Sequence, residues 1–274
     1  MREKGLRLAV TLLTVIPWPG AGDDAAPGGD TAPPRAAVAA AMAWAPAVGL
    51  LLGVAASAVL RQAGHPLGAG PLTASVLAIG SLALLTRGLH LDGLADLADG
   101  LASGKPAPAA LDIMRRSDIG ALGAVTLVLV LLLQVAALSQ AESAGHGRGP
   151  AALIAAVVTG RLAITWACRR GVPAARPDGL GALVAGSVRP AVAAVASAVT
   201  LAAAAAAVAV WPAAAGGAPG WTLPLAVAAG LGVAAGVQRH AVRRLGGITG
   251  DVLGALAEIA MTVTLVVAAM GPPA

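Results

Sequence analysis

The chain has 274 residues, 58% of them apolar and only 11% charged, and its mean hydropathy is +0.83. A soluble globular domain carries about 25% charged residues, so the composition excludes one and describes an integral membrane protein. The net charge of +5 is small and, as the loops show, one-sided; it reads as membrane topology and not as nucleic-acid binding.

The apolar runs are long and rich in Ala, Leu, Val and Gly, which predicts membrane-crossing helices and not barrel strands. Phe and Tyr are absent, so only Trp18, Trp44, Trp166, Trp211 and Trp221 are available as ring anchors at the interfaces. Abundant Ala and Gly let helices approach closely, which favours a compact bundle. Cys168 is the single cysteine; it cannot build an intrachain disulfide, a zinc cluster or an iron–sulfur site.

Residues 1–16 read as a short amphipathic surface helix or a re-entrant one. The apolar run ends at Pro17, Trp18 and Pro19, too short to span and without a small-residue cleavage site, so no cleavable signal peptide is expected. Residues 17–35, with Pro17, Pro19, Pro27, Pro33 and Pro34 among glycines, predict an irregular loop in which Asp23, Asp24 and Asp30 are solvated. Seven spans follow, at about 36–60, 68–88, 119–140, 150–168, 188–211, 221–238 and 252–270, each near the ~20 residues a bilayer requires. The proline- and glycine-rich 212–220 is an outer loop. No repeat and no domain boundary stand out. The expectation is an all-α, polytopic membrane helix bundle of about seven transmembrane helices plus the N-terminal helix, with 1–274 forming one integral-membrane catalytic domain.

Basic residues orient it. Arg2, Lys4, Arg7 and Arg35, then Arg87, Lys105, Arg115 and Arg116, then Arg169, Arg170, Arg176 and Arg189, then Arg239, Arg243 and Arg244 lie in four alternate connections. The intervening connections hold only Arg61 and Arg148, and Arg161 falls inside a span. The positive-inside rule puts the N-terminus and the four basic connections in the cytoplasm.

The chemistry-bearing residues gather in those connections. In RGLHLDGLADLADGLASGK (87–105), Asp92, Asp96 and Asp99 stand at i, i+4 and i+7. On a helix these fall within roughly 60° of one another. Three carboxylates on one stripe repel unless a cation or proton offsets the repulsion, and oxygen-only ligands suit Mg²⁺ or Mn²⁺. The competing reading is a solvated acidic face. Asp251 and Glu258 share a face of the last helix. Glu258 and Arg161 each sit about two turns into lipid depth, where ionised groups are costly. They form either a structural pair or the lining of a polar cavity open to the cytoplasm. Thr249-Gly250-Asp251 marks a helix start, with Thr249 or Asp251 as cap, and Gly246, Gly247 and Gly250 would let backbone N–H groups approach an anion there. In LDIMRRSDIG, Arg115 and Arg116 are either topological anchors or a clamp for phosphate oxygens. His90 flanks the acidic stripe and reads more readily as a hydrogen-bonded residue than as a base. His65, His146 and His240 receive no role, and Arg176 and Asp178 read as a solvated loop. Together these residues describe metal-assisted phosphoryl-ester transfer at the membrane surface, with a carboxylate taking the proton of an attacking alcohol.

Three stretches, HLDGLADLADG (90–100), MRRSDIGALG (114–123) and GGITGDVLGALAE (246–258), resemble the cobalamin synthase family (adenosylcobinamide-GDP ribazoletransferase). The opening LTVIPWP at 13–19 is similar to that family's start, so the resemblance covers nearly the whole chain. It implies the closing step of nucleotide-loop assembly in vitamin B12 synthesis. Adenosylcobinamide-GDP and α-ribazole would give adenosylcobalamin and GMP with Mg²⁺, and α-ribazole 5′-phosphate would give the 5′-phosphate of the product. The resemblance implies catalytic roles for Asp92, Asp96, Asp99, Asp251 and Glu258. The expected Mg²⁺ ligands are Asp92, Asp96, Asp99 and Asp251. The expected substrate contacts are Arg115, Arg116, Arg161, His90, Gly247 and Gly250. It also implies a multi-pass protein of a bacterial or archaeal inner membrane with its site facing the cytoplasm, and leaves open a homo-oligomer or association with other cobalamin-pathway enzymes. Two departures stand out. Ile248 occupies a position where the family often has Gln, and Arg116-Ser117-Asp118 exchanges the charges of the family's frequent Asp-Ser-Arg.

Two other readings compete. A CDP-alcohol phosphotransferase would need an Asp-rich spacing, D-x2-D-G-x2-A-R-x8-G-x3-D-x3-D, that this chain lacks. A secondary transporter would predict an inverted repeat and charges near the bilayer midplane, whereas these acids gather at one face.

Overall fold

The computed structural model describes residues 2–18, 33–145, 147–210 and 221–270. Asp23, Asp24, Asp30, His146, Trp211 and the outer loop at 212–220 lie outside the described residues. Among the described residues there are eleven helices and no strand: α1 (Arg2–Leu13), α2 (Arg35–Gly64), α3 (Pro71–Leu85), α4 (Leu89–Ala102), α5 (Ala107–Ile113), α6 (Ala121–Ser143), α7 (Arg148–Ala167), α8 (Gly179–Val184), α9 (Pro190–Val210), α10 (Thr222–Leu245) and α11 (Gly250–Ala269). The all-α polytopic expectation holds.

Six of these helices (α2, α6, α7, α9, α10 and α11) are long and apolar enough to cross a membrane. Their outer faces carry large exposed aliphatics, such as Leu129, Leu132 and Leu133 on α6 and Val195 and Val199 on α9. Such a surface would aggregate in water and is normal against lipid. The span expected at 68–88 differs. Its helix, α3, has 15 residues, about 22 Å at 1.5 Å per residue. It is followed by α4 at a bend of 88°, so the spans number seven only if the bent pair is one. Arg87 (φ 53°) and Gly88 (φ 67°) make the corner. Two consecutive left-handed residues cannot continue a right-handed helix, and the glycine adopts that conformation without steric cost.

The N-terminal helix is amphipathic as expected. Ala9, Val10 and Leu13 are buried, Glu3 and Lys4 are exposed, and Gly5 lies against Ala40 of α2.

α11 forms the centre of the bundle, packing on α4, α6, α7 and α10. Small residues make this crowding feasible, because van der Waals approach of backbones drives helix association in lipid. A Cβ on Gly160 of α7 would stand 2.6 Å from the Ala257 carbonyl oxygen of α11, and one on Gly230 of α10 would stand 2.7 Å from that of Ala260. On α2, Gly49 and Gly53 present one bare stripe to α7, where an added Cβ would meet Val158 and Ile154 Cα atoms at 3.0 Å. One end of the bundle collects the C-termini of α7 and α10, the N-terminus of α11 and, lying across it, α4.

Candidate active site

The corner at Arg87-Gly88 swings α4 across the end of α11. There, Gly93 and Gly254 bring the two backbones together. A Cβ on Gly93 would stand 2.7 Å from the Asp251 carbonyl oxygen, and one on Gly254 would stand 3.1 Å from His90 Cα. This crossing places Asp92 and Asp96 of α4 beside Asp251 of α11. Asp96 experiences the like charges of Asp92, Asp251 and Asp99 and the opposite charge of Arg176. Asp92 is exposed and Asp96 half-buried, and among the described residues no protein hydrogen bond engages either carboxylate.

Asp99 is positioned differently. Its carboxylate accepts hydrogen bonds from the backbone N–H of Gly120 and of Gly123, each at 2.8 Å. These are free donors at the start of α6, and an anion at a helix N-terminus is favourable. Asp99 therefore caps a helix that begins 22 residues later. The motif DIGALG is shaped for it, because a Cβ on Gly120 or Gly123 would collide with the Asp99 carboxyl group. The three carboxylates of the expected metal stripe thus stand in two settings. Asp92 and Asp96 remain available, while Asp99 turns to α6. Among the described residues no group of three or more His, Cys, Asp or Glu side chains converges to hold a metal unaided.

The start of α11 resolves the capping alternative. Thr249 is the cap, its Oγ1 accepting from Val252 N–H at 3.2 Å. The same hydroxyl donates to Asp251 Oδ2 at 3.1 Å, which steers the carboxylate outward without consuming it in a cap. Ile248 pairs with the loop before α8: its N–H donates to the Pro173 carbonyl, and its own carbonyl accepts from Ala175 N–H. Gly247 packs directly on the 173–175 backbone, so its backbone supports that loop and does not reach the cleft. The Ile248 side chain is fully buried, an apolar role at a position where the resembled family often has Gln.

This pairing delivers Arg176, which the sequence had read as solvated. Its side chain is only 15% exposed, and Nη1 lies 3.9 Å from Asp251 Oδ2. Nη2 donates to the Leu111 carbonyl, and Nε is buried without a partner among the described residues. His90, Asp92, Arg176, Asp178, Thr249 and Asp251 line one cleft of about 250 Å³, whose inner wall includes Leu12 and Leu13 of α1. Gly250 lies on it too. Arg115 reaches its rim through Asp178, with Nη2 at 2.8 and 3.0 Å from the two carboxylate oxygens. Arg116 and Asp118 are exposed and line no part of the cleft.

Arg161 and Glu258 do not line this cleft. Both are buried, at 1% and 7% exposure, a layer deeper between α6, α7 and α11. Glu258 Oε2 accepts from Gln134 Nε2 at 2.8 Å, and the same amide donates to Thr262 Oγ1 at 3.0 Å. Arg161 attracts Glu258 electrostatically without a direct ion pair, and its Nε and Nη1, like Nδ1 of His90, are buried without a hydrogen-bond partner among the described residues.

A polytopic helical membrane protein whose charged end holds a carboxylate-and-guanidinium cleft is the class that fold and site define. Residues 5–269 match the family model described as cobalamin-5-phosphate synthase. The chain is 47% identical to an adenosylcobinamide-GDP ribazoletransferase of Frankia casuarinae, over 97% of this chain and 95% of that protein. It is 38% identical to proteins of the same name from Nocardioides sp., over 82% and 84% of the two chains, and Bradyrhizobium diazoefficiens, over 96% and 92%. No solved structure matches. The chain belongs to the cobalamin-5-phosphate synthase family.

Proposed function

We propose that this protein transfers the cobinamide phosphate of adenosylcobinamide-GDP to α-ribazole or its 5′-phosphate, giving adenosylcobalamin or its 5′-phosphate and GMP. The observation that carries the reading is the meeting of Asp92, Asp251 and Arg176 at one cleft, with Asp96 within electrostatic reach of all three, in a chain of this family. The ribazole 3′-hydroxyl attacks the phosphorus bonded to the cobinamide side chain, and the bond from that phosphorus to the bridging oxygen breaks as GMP leaves. The site faces the cytoplasm of the inner membrane, a placement that rests on the asymmetry of Lys and Arg between alternate connections.

Mg²⁺ suits this donor set. It is bound by one or two carboxylates together with substrate phosphates and water, and seldom by an all-protein cage. Asp92, Asp96 and Asp251, in mutual electrostatic contact, would supply hard oxygen ligands, and substrate phosphate oxygens would complete the shell. When bound there, the ion supplies neutralisation of diphosphate charge. Arg176, beside Asp251, holds diphosphate oxygens, and Arg115, tethered to Asp178, guards the rim. A carboxylate of the pair Asp92 and Asp96 accepts the proton of the attacking hydroxyl. Arg161 and Glu258 support the floor beneath His90.

The test is synthesis of cobalamin from adenosylcobinamide-GDP and α-ribazole by protein in liposomes, with and without Mg²⁺, comparing wild type with Asp92→Asn. Metal-dependent product that falls to a trace at the wild-type Mg²⁺ optimum in folded Asp92→Asn is the expected result. Folded wild type that makes no product from either acceptor would sink the assignment.

A further inference from the structure

We infer that the groove between α7, α9 and α10 is a binding site for one anionic phospholipid, separate from the carboxylate cleft. Two adjoining cavities, of about 370 and 240 Å³, share Arg169, Gln238 and Arg239. The first runs down into apolar surface, lined by Ala163, Leu231 and Ala235. The second opens at the charged end and adds Arg243. Along α10 the positions Gly232, Ala235, Arg239 and Arg243 fall on one face, about 16 Å from first to last at 1.5 Å per residue. Apolar surface comes first and guanidinium last, the order of an acyl chain and its headgroup.

The basic rim is held in place. Arg169 Nη1 donates to Gln238 Oε1 and to the Trp166 carbonyl, both at 2.9 Å, and its guanidinium lies 5.9 Å from the Trp166 ring centroid. Gln238 is itself buried and donates to the Ala167 carbonyl. Among the described residues no carboxylate pairs with Arg169, Arg239 or Arg243, so three guanidinium groups share one opening without a counter-charge. An arginine serving only topology would extend into water with its head mobile. Arg169 is instead fixed at the mouth of an apolar groove, with Arg239 and Arg243 exposed beside it. A phosphodiester supplies the missing charge and accepts several N–H donors at once, and its acyl chain fills the groove. A free phosphate satisfies the rim alone.

Native mass spectrometry of detergent-solubilised protein, titrated with dioleoyl phosphatidylglycerol, dioleoyl phosphatidylcholine or glycerol phosphate, tests this. Wild type should retain phosphatidylglycerol preferentially. Arg239→Gln/Arg243→Gln should weaken that retention about thirtyfold, as loss of two basic contacts at a membrane surface implies. Ala235→Trp, which fills the groove, should weaken it too. Lys4→Gln/Arg35→Gln, which removes two exposed basic side chains elsewhere, should leave it unchanged. Equal retention of both lipids, equal loss in the Lys4/Arg35 variant, or glycerol phosphate binding as tightly as the lipid would each overturn the proposal. Both arginines are exposed, so their variant carries the test even where Ala235→Trp does not fold.

Discussion

Gly93 of α4 rests on the backbone of Asp251 at the first turn of α11, with no room for a side chain between them. The acidic helix and the glycine–Asp motif are thus one site because a glycine lets their backbones touch. Gly93→Val should push α4 off α11 and separate Asp92 and Asp96 from Asp251. Overpacking of this kind costs roughly 1–3 kcal/mol, and the displacement should abolish cobalamin synthesis even where the protein stays folded. Thermal unfolding in detergent alongside the activity assay separates the two effects. A folded Gly93→Val protein with wild-type activity would show that the crossing does not set the site.

The Asp99 carboxylate predicts a different phenotype from its two neighbours. Asp99→Ala removes the cap from Gly120 and Gly123 and should lower stability by about 1–2 kcal/mol. The Mg²⁺ concentration for half-maximal activity should stay near wild type in the surviving folded fraction. Asp92→Asn should raise that concentration with little change in unfolding temperature. If Asp99→Ala shifted the metal requirement as Asp92→Asn does, Asp99 would belong with the ligands after all.

Much of this arrangement is legible in the sequence. Ionised groups in so apolar a chain are costly, so Asp92, Asp96 and Asp251 stood out, and Thr249 was one of two expected caps. What sequence spacing could not distinguish was the fate of Asp99. A residue at i+7 shares the stripe whether it faces a ligand or the start of another helix, and only the tertiary position of α6 decides. The span expected at 68–88 does end at the Arg87-Gly88 corner, but apolar composition does not show that the chain turns there by 88° into a further helix. Arg176 was misread for a related reason. Its loop looks solvated, and only the backbone pairing of Ala174 with Ile248 carries it to Asp251. Glu258 and Arg161 were rightly marked as costly groups, but their polar neighbour Gln134 gave no local signal inside α6.

Arg176 is the guanidinium placed to hold the diphosphate beside Asp251. Arg176→Gln should lower kcat/KM by about two orders of magnitude, the range for losing one charge-stabilising donor. The KM for the GDP-linked substrate should rise and that for α-ribazole should not. Arg176→Lys, which keeps charge but loses the forked geometry, should recover part of the loss. Steady-state kinetics with each substrate varied in turn checks this. Equal effects on both KM values would indicate that Arg176 shapes the loop and does not contact the diphosphate.

Glu258 takes its hydrogen bond from Gln134 a layer beneath the cleft, so its loss should be read in stability before chemistry. Gln134→Leu strips a buried carboxyl group of its donor, which costs roughly 1–3 kcal/mol. Glu258→Gln keeps the shape and leaves Arg161 without its nearest attractive charge. The two substitutions touch one network, so their effects should be non-additive, with a coupling of roughly 0.5–3 kcal/mol in a double-mutant cycle. Each folded variant should synthesise cobalamin at a rate set by its folded fraction, with an unchanged Mg²⁺ requirement. Chemical denaturation and single-turnover assays on the same preparations give both numbers. A folded Glu258→Gln protein that binds substrate but forms no product would place Glu258 in the reaction itself, and the buried layer would then have to open towards the cleft during turnover.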